Sequence, residues 1–467
     1  MTEATLSSGV VDDISVEKLK VEFAGEVLRP GDHDYDEGRI VYNAMFQDRK
    51  PAAILRCTGT EDVVAAVNFA RESGLFVAVK AGGHSIAGFS AVDGGILIDL
   101  SAMKKIDVDP EARTAKAQAG VKWAEFDAAT QEHGLATTGG FVSTTGIAGL
   151  TLNGGTGILS RKHGLSCDNL MAAEVVTANG DVVRADESEN PDLLWGLRGG
   201  GGNFGIVTQF EYKLHPVTDI FLAISMYPAD RGAEVLRLYR DAAPTLPEEM
   251  ISAVLFFTVP INPMFPEELH GQKVFAIFGV YVGSEADADA PIKALSQVPD
   301  PLISFGMAVP YVMAQQMQDE DSPFGNQNYW KSGFLSELTD EAIDTIARLA
   351  PTAPSKLCQL NVLGLRGAIA RVGDDDTAYS NRDAAFNFSI DNIWEDPAEN
   401  DAQIKWSREF FAEMQPHLSG VYLNFIGDEG EGRVRESFGA KYAKLADLKS
   451  KYDPANLFRL NQNIHPS

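Results

Sequence analysis

Between residues 80 and 88 the chain reads Lys80-Ala81-Gly82-Gly83-His84-Ser85-Ile86-Ala87-Gly88, and the residue types here can do chemistry. Without Cβ atoms in the way, successive backbone N–H groups of such a turn can close around a diphosphate. His84 stands in the middle of it, where a neutral imidazole offers a nucleophilic nitrogen. A lone loop histidine is more often a solvated one; its place between glycine pairs on an anion-binding turn argues otherwise. A second stretch, from Gly139 to Gly157, is so rich in glycine that it has little side chain with which to build a core. Its backbone must approach something closely. Gly200, Gly202 and Gly205 match a GxGxxG pattern, but a dinucleotide fingerprint follows a strand and opens a helix. This one precedes an alternating strand, residues 206–214, so the match is fortuitous as a Rossmann signal while its glycines remain candidates to line a cofactor.

The elements that must position these turns follow from periodicity. Residues 53–56 form a short apolar strand, and residues 60–73 place Val63, Val64, Val67 and Ala70 at helical spacing behind Thr60 as a capping residue. Residues 76–79 are the next strand and lead straight into the turn at His84. Strands follow at 95–100, 106–109 and 114–119, and a helix at 122–133 ends at Gly134. Residues 172–184 are a hairpin turning at Asn179-Gly180. A short helix is expected within 15–30. After Pro216 the strands lengthen, at 251–259, 274–282 and 385–394, with helices such as 341–350 between them, which predicts a second, α+β part built on an antiparallel sheet. From Asp401 a helical stretch leads to Gly420-Val-Tyr-Leu-Asn-Phe-Ile-Gly427. The Asn-rich close, Tyr452 to Ile464, reads as a tail that returns to the first domain. The expected division is 1–40, an N-terminal helical extension; 41–215, a cofactor domain; 216–400, a substrate domain; and 401–467, the returning segment.

Bulk properties narrow the partners. The 467 residues carry 39 Lys plus Arg against 66 Asp plus Glu, a formal charge of -27. Such a chain repels phosphate backbones and anionic lipid, so neither nucleic acid nor a membrane surface is an expected partner. Cys57, Cys167 and Cys358 are spaced for neither a disulfide framework nor a zinc site, and no metal is expected. A reducing, cytoplasmic setting fits. Residues 1–15 show no secretion signal, and no apolar run spans a bilayer. A homo-oligomer is left open.

Four motifs in order resemble one family. They are Gly82-Gly-His-Ser-Ile-Ala-Gly88, Thr144-Thr-Gly-Ile-Ala-Gly-Leu-Thr-Leu-Asn-Gly-Gly-Thr-Gly157, Arg198-Gly-Gly-Gly-Gly-Asn-Phe-Gly-Ile-Val207 and Tyr452-Asp-Pro-Ala-Asn-Leu-Phe-Arg-Leu-Asn-Gln-Asn-Ile464. From Tyr42 to the end the chain is similar to the berberine-bridge-enzyme-like FAD-linked oxidases of the vanillyl-alcohol-oxidase and para-cresol-methylhydroxylase superfamily. The resemblance implies an α+β fold, in which a two-part FAD domain, made of the first half and the C-terminal tail, receives an inserted antiparallel-sheet substrate domain. It places His84 at the residue that bonds the 8α carbon of FAD. A second, cysteinyl link falls at Val142, which cannot form it, so singly attached FAD is implied; Cys167 lies too far along and reads as a buried structural thiol. Cofactor contacts are carried over to Lys80, Ala81, Gly82, Gly83, Ser85, Ile86, Gly88, Thr144, Thr145, Gly146, Gly149, Leu150, Gly154, Gly155, Gly205, Ile206, Val207, Asn424, Asn461 and Asn463. Thr145 sits where relatives govern oxygen access, and its small side chain permits oxidase behaviour.

The proton acceptor departs from the family pattern. Where relatives end a Tyr-x-Asn-Tyr run with tyrosine, this chain reads Tyr422-Leu-Asn-Phe425, and a second family position, counted back from Trp394, is Asn387. Neither Phe425 nor Asn387 can take a proton, so another group, such as Tyr422, does, or the substrate needs little help. Phe256 and Phe386 read as core residues, whereas Phe388 reads either way. Phenylalanines facing the flavin favour a hydrophobic or aromatic alcohol, phenol or amine, oxidised at a C–H bond next to oxygen or nitrogen with molecular oxygen as acceptor. The rival readings are a carbohydrate oxidase of the same fold and a flavin-binding protein without turnover.

Overall fold

The computed structural model describes residues 13–467 apart from 218 and 264. Residues 1–12, most of the stretch read as lacking a secretion signal, lie outside the described residues. Two small sheets make the first part. In one, Ala53–Arg56 and Val77–Lys80 lie parallel on either side of Ile96–Asp99, and Glu26–Leu28 adds an antiparallel edge. The helix Thr60–Ser73 buries Val63, Ala66, Val67 and Ala70 against this sheet and ends at Gly74, which takes the left-handed backbone. The expected threonine cap is not there. Gly59 is the N-cap, and the Thr60 hydroxyl instead donates to Glu174 Oε1 at 2.7 Å, pinning the helix to the strand Leu170–Val176. The helix expected within 15–30 runs Asp13–Glu22 and stops short, because Gly25 passes so close to Arg56 that a Cβ there would meet its carbonyl oxygen at 2.0 Å.

The second sheet is antiparallel, in the order Ile106–Asp109, Thr114–Gln118, Ile206–Lys213, Leu170–Val176, Val182–Ala185. Its last two strands are the hairpin read at Asn179-Gly180, with Gly180 at φ +85°. Seven antiparallel strands form the third sheet, which includes Met250–Thr258, Lys273–Tyr281, Gln359–Gly364, Phe386–Trp394 and Gln327–Leu335. Alternation sorts its faces. Phe256, Phe386 and Phe388 turn to the side covered by the helices Gly232–Ala242, Asp340–Leu349 and Asn400–Met414, where Val235, Ile343 and Phe410 complete a core. Leu255 and Asn387 turn the other way, toward the first part of the molecule. Phe388, readable either way from sequence, is therefore core, packed on Phe410.

From Val421 the chain rejoins the first core through Val421, Leu445, Phe458 and Ile464. The closing motif has a physical reason. Lys449 and Asp453, both fully buried, pair at 2.7 Å. Asp453 accepts from the Leu457 and Phe458 amides, and Lys449 donates to the carbonyls of Phe458 and Asn203. Asn203 in turn bonds Gly200, Gln462 and Ile464. One buried ion pair thus fastens the tail to the Gly200–Gly205 turn. The α+β expectation, with an antiparallel sheet between two halves of one core, is borne out. Among the described residues no helix is long and apolar enough to cross a membrane.

Candidate active site

A cavity of about 360 Å³ opens between the two small sheets and the bare face of the seven-stranded sheet. Val77, Val79 and Leu100 reach it from the first sheet, and Leu255, Phe278 and Asn361 from the third. The glycine turns and the returning segment fill the sides, so residues far apart in sequence meet there.

His84 sits on its wall. Tyr42 stacks on the imidazole, with centroids 4.4 Å apart and planes 14° off parallel, and Phe324 meets it edge-on at 5.0 Å. Thr144 Oγ1 lies 3.0 Å from Nε2 and Thr145 Oγ1 3.5 Å from Nδ1. Burial, reinforced by the Lys122 charge, lowers the His84 pKa to about 3. The ring is therefore neutral at ordinary pH, as a nitrogen nucleophile must be. Tyr42, which the motifs did not single out, carries no signature of its own; an aromatic residue is needed there only because the fold brings it over the ring.

The two glycine turns touch back to back. A Cβ on Gly82 would meet the Gly146 nitrogen at 2.3 Å, and one on Gly146 the Gly82 nitrogen at 2.6 Å. The first turn is held by its carbonyls: Gly83 O accepts from the Tyr42 amide and Ile86 O from Asn43 Nδ2. Among the described residues the amides of Gly82, Gly83, His84, Ser85 and Ile86 donate to no backbone carbonyl, which leaves a row of donors beside the cavity. Gly149 and Gly202 line it with open space where a Cβ would stand, and Asn461 lines it with a buried Oδ1 that has no partner. Free amide donors, bare glycines and an orphaned amide oxygen fit the nucleotide and ring of the FAD that the resemblance implies.

The other carried-over residues divide. Ala81, Val142, Thr145, Leu150, Gly205, Ile206, Val207 and Asn424 line the cavity. Asn424 Nδ2 donates to Leu150 O. Lys80, Gly88, Gly154, Gly155 and Asn463 do not line it. Lys80 is buried on Asp99 at 3.1 Å, and Gly88 packs under Phe46. Gly154 and Gly155 let the chain slip past Tyr379 and Ser166. Asn463 keeps a buried Oδ1 without a partner outside the cavity wall. Thr144 contacts His84 and is off the wall. Cys167 is free and fully buried.

Of the three residues at the proton-acceptor positions, Asn387 and Phe425 line the cavity and Tyr422 does not. The Tyr422 hydroxyl accepts from the Thr156 amide and from Asn424 Nδ2, both at 3.0 Å, and burial raises its pKa. The hydroxyl thus holds Thr156 and Asn424, off the cavity wall. Four residues beyond the expected site, on the same face as Asn387, stands a carboxylate that sequence reading missed: Asp391 lines the cavity. Its Oδ2 accepts from Asn361 Nδ2 at 2.6 Å, while Oδ1 is buried with no partner. Burial raises its pKa to about 7. The signal was the period of two along Asn387, Ser389, Asp391, once that strand is known to be half of a cavity wall.

Comparison with known proteins follows the same outline. Residues 51–186 match the family described as FAD binding domain, and residues 421–465 the one described as berberine and berberine like. An FAD-linked oxidoreductase of Dictyostelium discoideum is 31% identical over 446 residues, 95% of either chain. A chitooligosaccharide oxidase of Gibberella zeae is 28% identical over 468 residues, 93% of this chain and 91% of that one. The crystal structure of 6-hydroxy-D-nicotine oxidase from Arthrobacter nicotinovorans superposes with a TM-score of 0.86 at 27% identity, covering 95% of this chain and 98% of that one.

Proposed function

The chain belongs to the berberine-bridge-enzyme-like FAD-linked oxidoreductases, and from that premise we propose that it holds FAD covalently through His84 alone and oxidises a small hydrophobic molecule at a C–H bond next to oxygen or nitrogen, with oxygen as electron acceptor. The observation that carries this reading is the neutral, clamped imidazole at the edge of the cavity. The shorter contact, to Thr144, falls on Nε2. A proton kept there and donated to Thr144 leaves the Nδ1 lone pair, met only by Thr145 Oγ1 at 3.5 Å, to form the bond. Val142 offers no second attachment, and the three thiols are buried away from the cavity.

FAD, when bound, supplies the hydride acceptor and the route for electrons to oxygen. The chain supplies placement. Leu255, Phe278 and Leu363 form an apolar floor, and Trp330 and Phe425 meet edge-on at 5.8 Å to close a side. An apolar body is thereby favoured, because each buried sugar hydroxyl would need a polar partner. The Gibberella zeae relative is named for a carbohydrate substrate, but in this cavity the third sheet's polar side chains are few: Gln359, Asn361, Asn387 and Asp391 on two neighbouring strands, and Ser252 on the strand Met250–Thr258.

The test is acid precipitation. Native protein should keep its yellow colour in the pellet, and His84→Ala should release the flavin to the supernatant; equal release from both contradicts the attachment. Oxygen uptake with a panel of alcohols, phenols and amines then checks turnover, and silence across it despite bound flavin would favour a binding protein.

A further inference from the structure

The third sheet's side of the cavity is electrically one-sided. Among the described residues Asp391 is the one carboxylate on the cavity wall, and no lysine or arginine lines it. The residues that face Asp391 do not balance its charge. Asn361 gives Oδ2 a neutral hydrogen bond and also donates to Ser389 on the same face. Burial raises the pKa of the nearby Tyr42 phenol and Cys358 thiol, and the Asp391 charge adds to both shifts. His84, on the same cavity, is neutral; Lys122, whose charge is felt at His84, is off the cavity wall and does not act on Asp391; and Lys331 on the neighbouring strand is taken by Glu429 at 2.9 Å. Asp391 Oδ1 is thus a buried acceptor in want of a donor, in a cavity in want of a positive charge.

Resting on the function proposed above, we infer that the substrate is an amine that enters as an ammonium ion and gives its proton to Asp391. A hydroxyl would satisfy the free oxygen but leave the charge unbalanced; an ammonium does both. An anion would meet only repulsion. In the step itself an N–H bond breaks and an O–H bond forms on Oδ1. The carboxylate becomes a neutral acid, and the nitrogen keeps the electron pair. That pair is what allows the neighbouring C–H bond to be lost as hydride, which an ammonium cannot do. Asn361 holds Oδ2 throughout, and the apolar floor takes the carbon body. Asn387, at the position where a base was sought, donates Nδ2 to Ser332 and keeps a buried Oδ1 without a partner; it can accept a hydrogen bond but, being neutral, balances no charge.

The experiment uses flavin-loaded native protein and Asp391→Asn, with three probes of one shape: N-methylbenzylamine, benzyl alcohol and benzoate. Binding is read anaerobically from the perturbation of flavin absorbance, and flavin content is recorded for each protein. Native protein should bind the amine best and benzoate worst, the amine tightening as pH rises through the titration of Asp391 near 7. Asp391→Asn should keep its flavin and its affinity for benzyl alcohol while losing about ten-fold or more in amine binding, the scale of a buried charge pair. Unchanged amine binding in the variant, or a native preference for the alcohol or benzoate, would overturn the inference, while covalent flavin and turnover of an alcohol would leave the proposed function standing. Should the variant fail to retain flavin, the order of the three probes and the pH trend in native protein decide alone.

Discussion

His84 could be found from sequence because its neighbours announce it: glycine pairs on both sides mark a turn that serves a ligand rather than solvent. What sequence could not supply is the environment that makes it reactive. Tyr42 is 42 residues before His84 in the chain and meets it only because the Tyr42 amide bonds the Gly83 carbonyl. Thr144, by contrast, lay inside a recognised motif but was read as a cofactor contact, whereas the structure gives it to the His84 ring. Thr144→Val, which keeps the shape and removes the hydroxyl, should therefore slow covalent attachment by about ten-fold, the worth of one good hydrogen bond. Following the growth of acid-stable flavin after FAD is added to flavin-free protein measures it; an unchanged rate would detach Thr144 from the chemistry. Asp391 was missed for a related reason. On paper an aspartate on a strand that reads Phe-Asn-Phe-Ser-Ile-Asp is one of many, and only the sheet shows which face the period of two selects.

At the scale of elements, strongly periodic segments were legible and contact-dependent ones were not. The helix at 60–73 was placed to the residue, but its cap depended on Glu174, a residue 114 positions away. Likewise the extent of the first helix is set by the closeness of Gly25 to Arg56 across a sheet. Two buried polar links join elements around the cavity and can be tested. Arg382 and Asp168, exposed by 4% and 6%, pair at 2.6 Å and tie residues 377–382 to the loop after the second glycine stretch. Arg382→Met should cost roughly 3–5 kcal/mol, because it strands a buried carboxylate; a denaturant midpoint within the error of native would refute that. Asp127, fully buried, accepts from Gln315, whose amide also holds the Gly140 carbonyl on the cavity wall. Burial raises the Asp127 pKa to about 7. The folded protein then keeps a proton that the unfolded chain gives up near pH 4, so this site loses stability as pH rises from there to about 7 and gains it back on acidification. Asp127→Asn removes the slope. Its melting temperature should exceed the native value by more at pH 8 than at pH 5; a gap that does not grow with pH contradicts the assignment.

For the whole molecule, the charge of -27 excludes phosphate backbones and anionic lipid as partners. With a lone carboxylate on the cavity wall it acquires a second consequence, because a field of one sign gathers cations at the entrance and is screened by salt. The kcat/KM for an amine substrate should fall as ionic strength rises, while that for a neutral alcohol of the same shape should not; parallel responses would remove the field from the account. The architecture was legible because four motifs fixed the chain order of a fold whose tail returns to its start. The binding surface was less so, since it exists only where three sheets converge and no short window of sequence contains it. Yet the account still rests on one bond. Intact mass spectrometry of the denatured native chain, followed by digestion, tests it most directly: the chain should weigh one FAD more than its sequence, with the increment on the peptide that contains His84. A chain at its bare mass with the flavin free in solution, or an increment on any other peptide, would contradict it.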